Sequence, residues 1–209
     1  MLNENEIREI GLEKELFLLK NNKIMEPWLF GFPFDCMGFL VEIRSLPSDR
    51  MYPIITTLFE QELQYKLRAN KFGFELKDLP FMFYNSKWVN MIEKKYKIYD
   101  YKDYTKNIYG IKGSHHTGVF KSDSGDYRLT SGIHVHFSNR DVKTGKVLQL
   151  PVEKIVKKMD EVFVKEIKDT KRLAGEWEPK AHGFEYRSLP CNTDIYKILK
   201  ESFKILRDA

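Results

Sequence analysis

Two segments far apart in the chain repeat one unit. "VEIRSLPSD" at Val41–Asp49 and "FEYRSLPCNTD" at Phe184–Asp194 both read apolar, Glu, apolar, Arg, Ser, Leu, Pro, and then a helix-capping Asp. In an extended strand, alternate side chains share a face. Glu42 with Arg44, and Glu185 with Arg187, therefore each present an acid and a guanidinium on one side of a sheet. Two further segments behave alike. "GLEKELFLL" places Glu13 and Glu15 on one face, and "SGIHVHFS" places His134 and His136 on one face with Ile133, Val135 and Phe137 on the other. Four strands thus offer same-face pairs of metal-binding or phosphate-binding type. Ion pairing on a wet sheet accounts for any one of them, since exposed cross-strand pairs contribute little; four together point to a site.

The chemistry follows from the charges. Closely spaced carboxylates cannot all ionise unless cations screen them, so Glu13, Glu15, Glu42 and Glu185 call for a hard divalent ion with oxygen ligands, Mg2+ or Mn2+. A histidine in that shell favours manganese slightly. Arginine forks match phosphate oxygens bidentately, and metal with arginine implies phosphoryl transfer.

Connecting segments set the fold class. Strands are expected at 11–19, at 38–46 and in "GFEYRSL". Ser48 and Asp49 can cap a helix running to about Asn70, with Ile54, Ile55, Leu58, Phe59 and Leu63 as its apolar stripe. Pro151 opens a helix to about Arg172, carrying Ile155, Met159, Val162, Phe163 and Ile167, and a last helix starts near Asp194. This predicts an α+β fold in which an antiparallel sheet keeps a polar face for the site and packs helices on its apolar face. The 209 residues, 42% hydrophobic, suit a single domain spanning 1–209. Glycines at 110, 113, 118 and 125 mark a mobile loop around 105–127, which includes His115 and His116.

The remaining composition excludes more than it assigns. A net charge of +5, from 35 basic and 30 acidic residues spread along the chain, suits an anionic ligand without indicating nucleic acid. The lysine–tyrosine stretch at 94–112 is interrupted by acids and reads as a solvated segment. No apolar run approaches the length of a membrane span. Cys36 and Cys191 lack metal-ligand spacing and no targeting segment is read, so free thiols and a cytoplasmic protein are expected.

These motifs resemble a known superfamily. "SGIHVHFS" looks like the histidine strand of glutamine synthetases, and "GLEKELF" resembles the E-x-E first strand that they share with glutamate-cysteine ligases. "FDCMGFLVEIRSLP" is similar to the second metal strand of the latter, and "GFEYRSLPCNTD" to the terminal Glu-x-Arg strand. The order and the Gly-Glu stretch before the last strand resemble the phage-type carboxylate-amine ligases of that superfamily. The resemblance implies a glutamine-synthetase-like catalytic domain that consumes ATP and joins a small-molecule or peptide carboxylate to an amine through an acyl phosphate. It implies that Glu13, His134 and Glu185 hold one metal and Glu15 and Glu42 another, with Asp35 an outer or third-site ligand. His136 would face the nucleotide phosphates and Arg187 would steady the phosphoryl group. Arg44 rests on the repeat rather than the family pattern, and a structural ion pair is the alternative for it. Where relatives place a basic residue this chain has Glu178, so that phosphate contact is either missing or supplied by Arg172 or Lys180. Two other classes use related residues: a metal-dependent phosphoesterase or nuclease, and a non-catalytic nucleotide- or nucleic-acid-binding module.

Overall fold

The computed structural model describes residues 8–35, 39–84, 99–100, 119–121, 127–170 and 172–209. Cys36, His115 and His116 lie outside them. So does the expected loop around 105–127, apart from Val119–Lys121 and Tyr127, which belong to strands.

The chain is a mixed α+β protein organised on one long strand, β1 (Arg8–Lys20). A hairpin returns it to β2 (Lys23–Ile24), and β3 (Leu40–Arg44), helix α1 (Met51–Lys71) and β4 (Glu75–Lys77) follow. The short strands β5 (Phe81–Tyr84), β6 (Tyr99–Asp100), β7 (Val119–Lys121) and β8 (Tyr127–Thr130) form a separate four-stranded sheet in the order β5-β8-β7-β6. Then come β9 (Gly132–Asp141), helices α2 (Val152–Val162) and α3 (Val164–Asp169), the hairpin of β10 (Trp177–Lys180) and β11 (Gly183–Pro190), and helix α4 (Ile195–Arg207).

The seven-stranded main sheet is antiparallel throughout, and its register places the site. Glu13 pairs with Arg44 of β3 on one edge of β1 and with His134 of β9 on the other. Glu15 pairs with Glu42, and Glu185 of β11 with His136. Between Tyr186 and Leu189, β11 carries one residue more than β9, a bulge that holds Arg187 and Ser188. Gly183 enters β11 at φ 144°, where a side chain's Cβ would lie 2.0 Å from the Phe137 carbonyl oxygen, so only glycine lets this hairpin close onto β9.

Alternation separates two faces. Ile10, Leu12, Leu16 and Leu18 of β1 join Val41, Ile43, Ile133, Val135, Phe137, Phe184 and Tyr186 in the main core. Helices α1, α2 and α4 lay Ile54, Leu58, Ile155, Met159, Ile198 and Leu199 into the same core. Lys14 breaks this pattern: it is buried among those helix-facing positions and bonds Glu62 of α1 at 2.9 Å.

Three local expectations are corrected. Helix α1 is not capped by Ser48 or Asp49; its N-cap is Arg50, because the backbone of Ser48 exchanges hydrogen bonds with Ile10 of β1. Its apolar stripe is also rotated: Phe59 and Leu63 are exposed, and Glu62 turns inward to meet Lys14. The single helix expected to reach Arg172 ends its first part at Val162. Val162, Phe163 and Val164 form a run of weak helix formers there, and α3 stops at Asp169. The cap at Asp194 is as expected, its Oδ1 accepting from the Tyr196 and Lys197 amides.

Candidate functional site

The polar face of the main sheet lines a cavity of about 760 Å3. Every residue singled out as a ligand or phosphate contact borders it: Glu13, Glu15, Asp35, Glu42, Arg44, His134, His136, Arg172, Lys180, Glu185 and Arg187.

At its floor, three strands bring together Glu13, His134 and Glu185, all buried. His134 Nδ1 lies 2.8 Å from Glu185 Oε1 and 3.2 Å from Glu13 Oε1. One donor atom from each residue falls within 4.8 Å of the others, a spacing that could hold a metal ion. Glu15 sits to one side, its Oε1 3.8 Å from His134 Nε2 and its Oε2 accepting from the Gly132 amide at 2.7 Å.

Basic side chains ring these acids. Arg44 Nε meets Glu13 Oε2 at 3.0 Å while its NH2 reaches Glu42 Oε1 at 2.5 Å. On the opposite side, Lys180 Nζ contacts Glu185 Oε2 at 2.7 Å and Glu178 Oε2 at 3.1 Å. Arg187 NH1 contacts Glu185 Oε1 at 2.8 Å and Glu178 Oε2 at 3.2 Å.

Protonation reflects this crowding. Burial opposes the charge on Glu13, but hydrogen bonds from His134 and His136 hold its carboxyl well below the usual range. Burial likewise opposes the charge on Glu185, yet His134, Arg187 and Lys180 keep it ionised. Burial and Arg187 disfavour charge on His134, but Glu15, Glu13 and Glu185 outweigh them and push it up to about 9. Glu42 is pushed up to about 8 by burial and by the charge of Glu13, with Arg44 pulling the other way. One carboxyl and one imidazole therefore carry protons at neutral pH that a divalent cation would displace.

Two residues of the set have structural engagements. Arg172 spends its guanidinium on the carbonyls of Ser188, Ser131 and Arg187, at 3.2, 3.0 and 2.7 Å, so it ties α3's exit to β9 and β11. Asp35 Oδ1 accepts from the Phe39 and Leu40 amides and fixes the turn into β3.

His182, in the β10–β11 hairpin, is a cavity residue that the sequence reading missed. Its Nε2 lies 3.2 Å from His136 Nδ1. The only signal was its position five residues before Arg187, in a hairpin whose first strand has no clear alternation.

No protein-family model, no curated protein and no solved structure matches the chain. Among the described residues, no helix is long and apolar enough to cross a membrane.

Proposed function

We propose that the chain is an ATP-dependent carboxylate-amine ligase whose main sheet is a glutamine-synthetase-like catalytic sheet. The observation that carries this reading is the convergence of Glu13, His134 and Glu185 from three strands into one cavity with Arg44, Lys180 and Arg187 around them. Of these, Glu13, His134, Glu185 and Arg187 are positions that the resemblance to glutamine synthetases and glutamate-cysteine ligases designates. The donor set suits Mg2+ or Mn2+: two carboxylates and one imidazole, with Glu15 and Glu42 within the same cavity. Glu13, His134 and Glu185 would hold one ion and Glu15 and Glu42 a second, and bound ions would screen the charge of the ATP phosphates.

The chain's own groups do the rest. Lys180 and Arg187 now neutralise Glu185 and Glu178, and with Glu185 satisfied by a cation both are placed to bind phosphate oxygens. Arg187, held by the bulge in β11, orients the γ-phosphoryl group while a substrate carboxylate attacks it to form an acyl phosphate and ADP. The amine nitrogen then attacks the acyl carbon, the C–N bond forms, phosphate leaves and the amine loses a proton. Arg44 keeps Glu13 and Glu42 apart in charge and so positions the acids rather than touching substrate.

The test is ATP turnover. The chain, with Mg2+ or Mn2+, ATP and a mixed pool of carboxylates and amines, should release phosphate and yield new amides by mass spectrometry. Cleavage of a phosphoester without ATP and without amide product would replace this reading with a metal-dependent phosphoesterase.

A further inference from the structure

The cavity holds a second set of ligating atoms apart from the three-residue cluster on its floor. His136 projects from the middle of β9 and His182 from the tip of the β10–β11 hairpin, and their facing nitrogens, Nδ1 and Nε2, are 3.2 Å apart with the rings inclined at 41°. Two imidazole nitrogens at that separation, each about 2.1 Å from a shared ion, subtend about 100° at it, between the tetrahedral and octahedral angles. We infer that His136 and His182 form a binding site for a borderline divalent transition metal, Zn2+, Co2+ or Ni2+, at the mouth of the cavity.

Two further features favour a built site over a chance pairing. The other nitrogen of His136, Nε2, faces Glu13 Oε2 at 3.5 Å. A carboxylate on the far side of an imidazole fixes the tautomer that leaves the opposite nitrogen's lone pair for a metal. The hairpin bearing His182 is also fixed in place, because the Asn139 amide donates to the His182 carbonyl at 2.7 Å and Gly183 packs against the Phe137 carbonyl. Imidazole nitrogen suits these ions better than Mg2+ does, so the site differs in metal preference from the carboxylate-rich floor. Two protein ligands leave the remaining positions open to the cavity, where Ser138 also lies. Because Glu13 touches both sites, ions in the two sites should influence each other's affinity. The inference is independent of the ligase reading.

Calorimetric titration of Zn2+ into the full chain, with Mg2+ in large excess, tests it. The wild type and Glu185→Gln should both retain a Zn2+ equivalent that His182→Ala loses or binds roughly 100-fold more weakly. His182 is exposed and its structural bond is made by its backbone, so the alanine variant should melt as the wild type does. Long-range imidazole 15N spectra should show Zn2+ on His136 Nδ1 and His182 Nε2. Unchanged Zn2+ stoichiometry and affinity in His182→Ala, or metallation of His136 at Nε2 instead, would overturn the assignment. So would a wild type that takes up no Zn2+ beyond what Glu185→Gln abolishes.

Discussion

Lys14 Nζ lies 2.9 Å from Glu62 Oε2, and both side chains are buried beneath the sheet whose other face carries Glu13 and Glu15. Removing one member of a buried pair strands the other charge. Lys14→Met should destabilise the chain by about 3 kcal/mol, at the low end of such losses because Lys66 also pairs with Glu62. Lys14→Met combined with Glu62→Leu should recover most of that loss. Although burial opposes it, Lys66 and Lys14 hold the Glu62 carboxyl below its ordinary 4.5. Its contribution is therefore present above pH 4.5 and fades as pH falls through the folded-state value. Chemical denaturation of wild type and Glu62→Gln across that range should show the two curves converging in acid.

Glu42 should behave in the opposite sense. Its folded value of about 8 stands above the ordinary 4.5, so between those pH values the folded chain holds a proton that the unfolded chain has released. Metal-free wild type should lose stability as pH rises across that window, and Glu42→Gln should lose less, keeping only the part above pH 6.5 that His134 contributes. At pH 8.5 in chelator the variant is expected to be more stable, on the order of a few kcal/mol. The same variant should lose most ligase activity. A variant less stable than wild type at both pH 5 and pH 8.5 would make Glu42 a structural residue.

Metal should stabilise the fold through the floor of the cavity. Saturating Mn2+ should raise the wild-type melting temperature, with about 2.7 kcal/mol gained at a hundred times the dissociation constant. Glu185→Gln removes one of the three donors and should abolish most of that increase. Because it also strands the charges of His134, Lys180 and Arg187, its metal-free melt should already lie below the wild type's, so the readout is the Mn2+-induced shift within each protein. An equal Mn2+ effect in the variant would place the ion elsewhere.

Arg187→Lys separates binding from chemistry. Lysine keeps the charge opposite Glu178 and Glu185 but loses the planar fork. Metal-dependent binding of a non-hydrolysable ATP analogue should persist, while amide formation falls roughly 100-fold. Undiminished turnover would remove Arg187 from the mechanism.

Period-two alternation made much of this site legible from the sequence. Glu13, Glu42, His134 and Glu185 had to share faces within their own strands, and β1, β9 and β11 fell where the alternation put them. Strand order was not in the sequence: the repeat predicted two similar strands, but not that β3 and β11 would lie on opposite sides of β1 with β9 between β1 and β11. The phase of α1 was hidden for a tertiary reason. Phe59 and Leu63 fit an apolar stripe as well as Leu58 does, and only the burial of Lys14 on the facing strand turns Glu62 inward. The resemblance offers Arg172 as a stand-in for a basic residue that Glu178 replaces, whereas the three carbonyls around it depend on how β9 and β11 meet. His182 gave no periodic signal because a hairpin tip has none.

The contacts between β1 and β9 also set an order of events when the chain is made. His134 and Glu13 are 121 residues apart in sequence, and the Gly132 amide reaches back 117 residues to Glu15. Glu185 joins them only after the β10–β11 hairpin has docked. On a ribosome that delivers the chain from its N-terminus, β1 therefore emerges long before either strand that completes the floor of the cavity. Until then β1 is paired only on the edge it shares with β2, β3 and β4, and the edge that β9 will take stays open. Folding this site demands closure of long loops, so it should be slow for a chain of this size, and β1 is the segment most in need of shielding while the chain is incomplete.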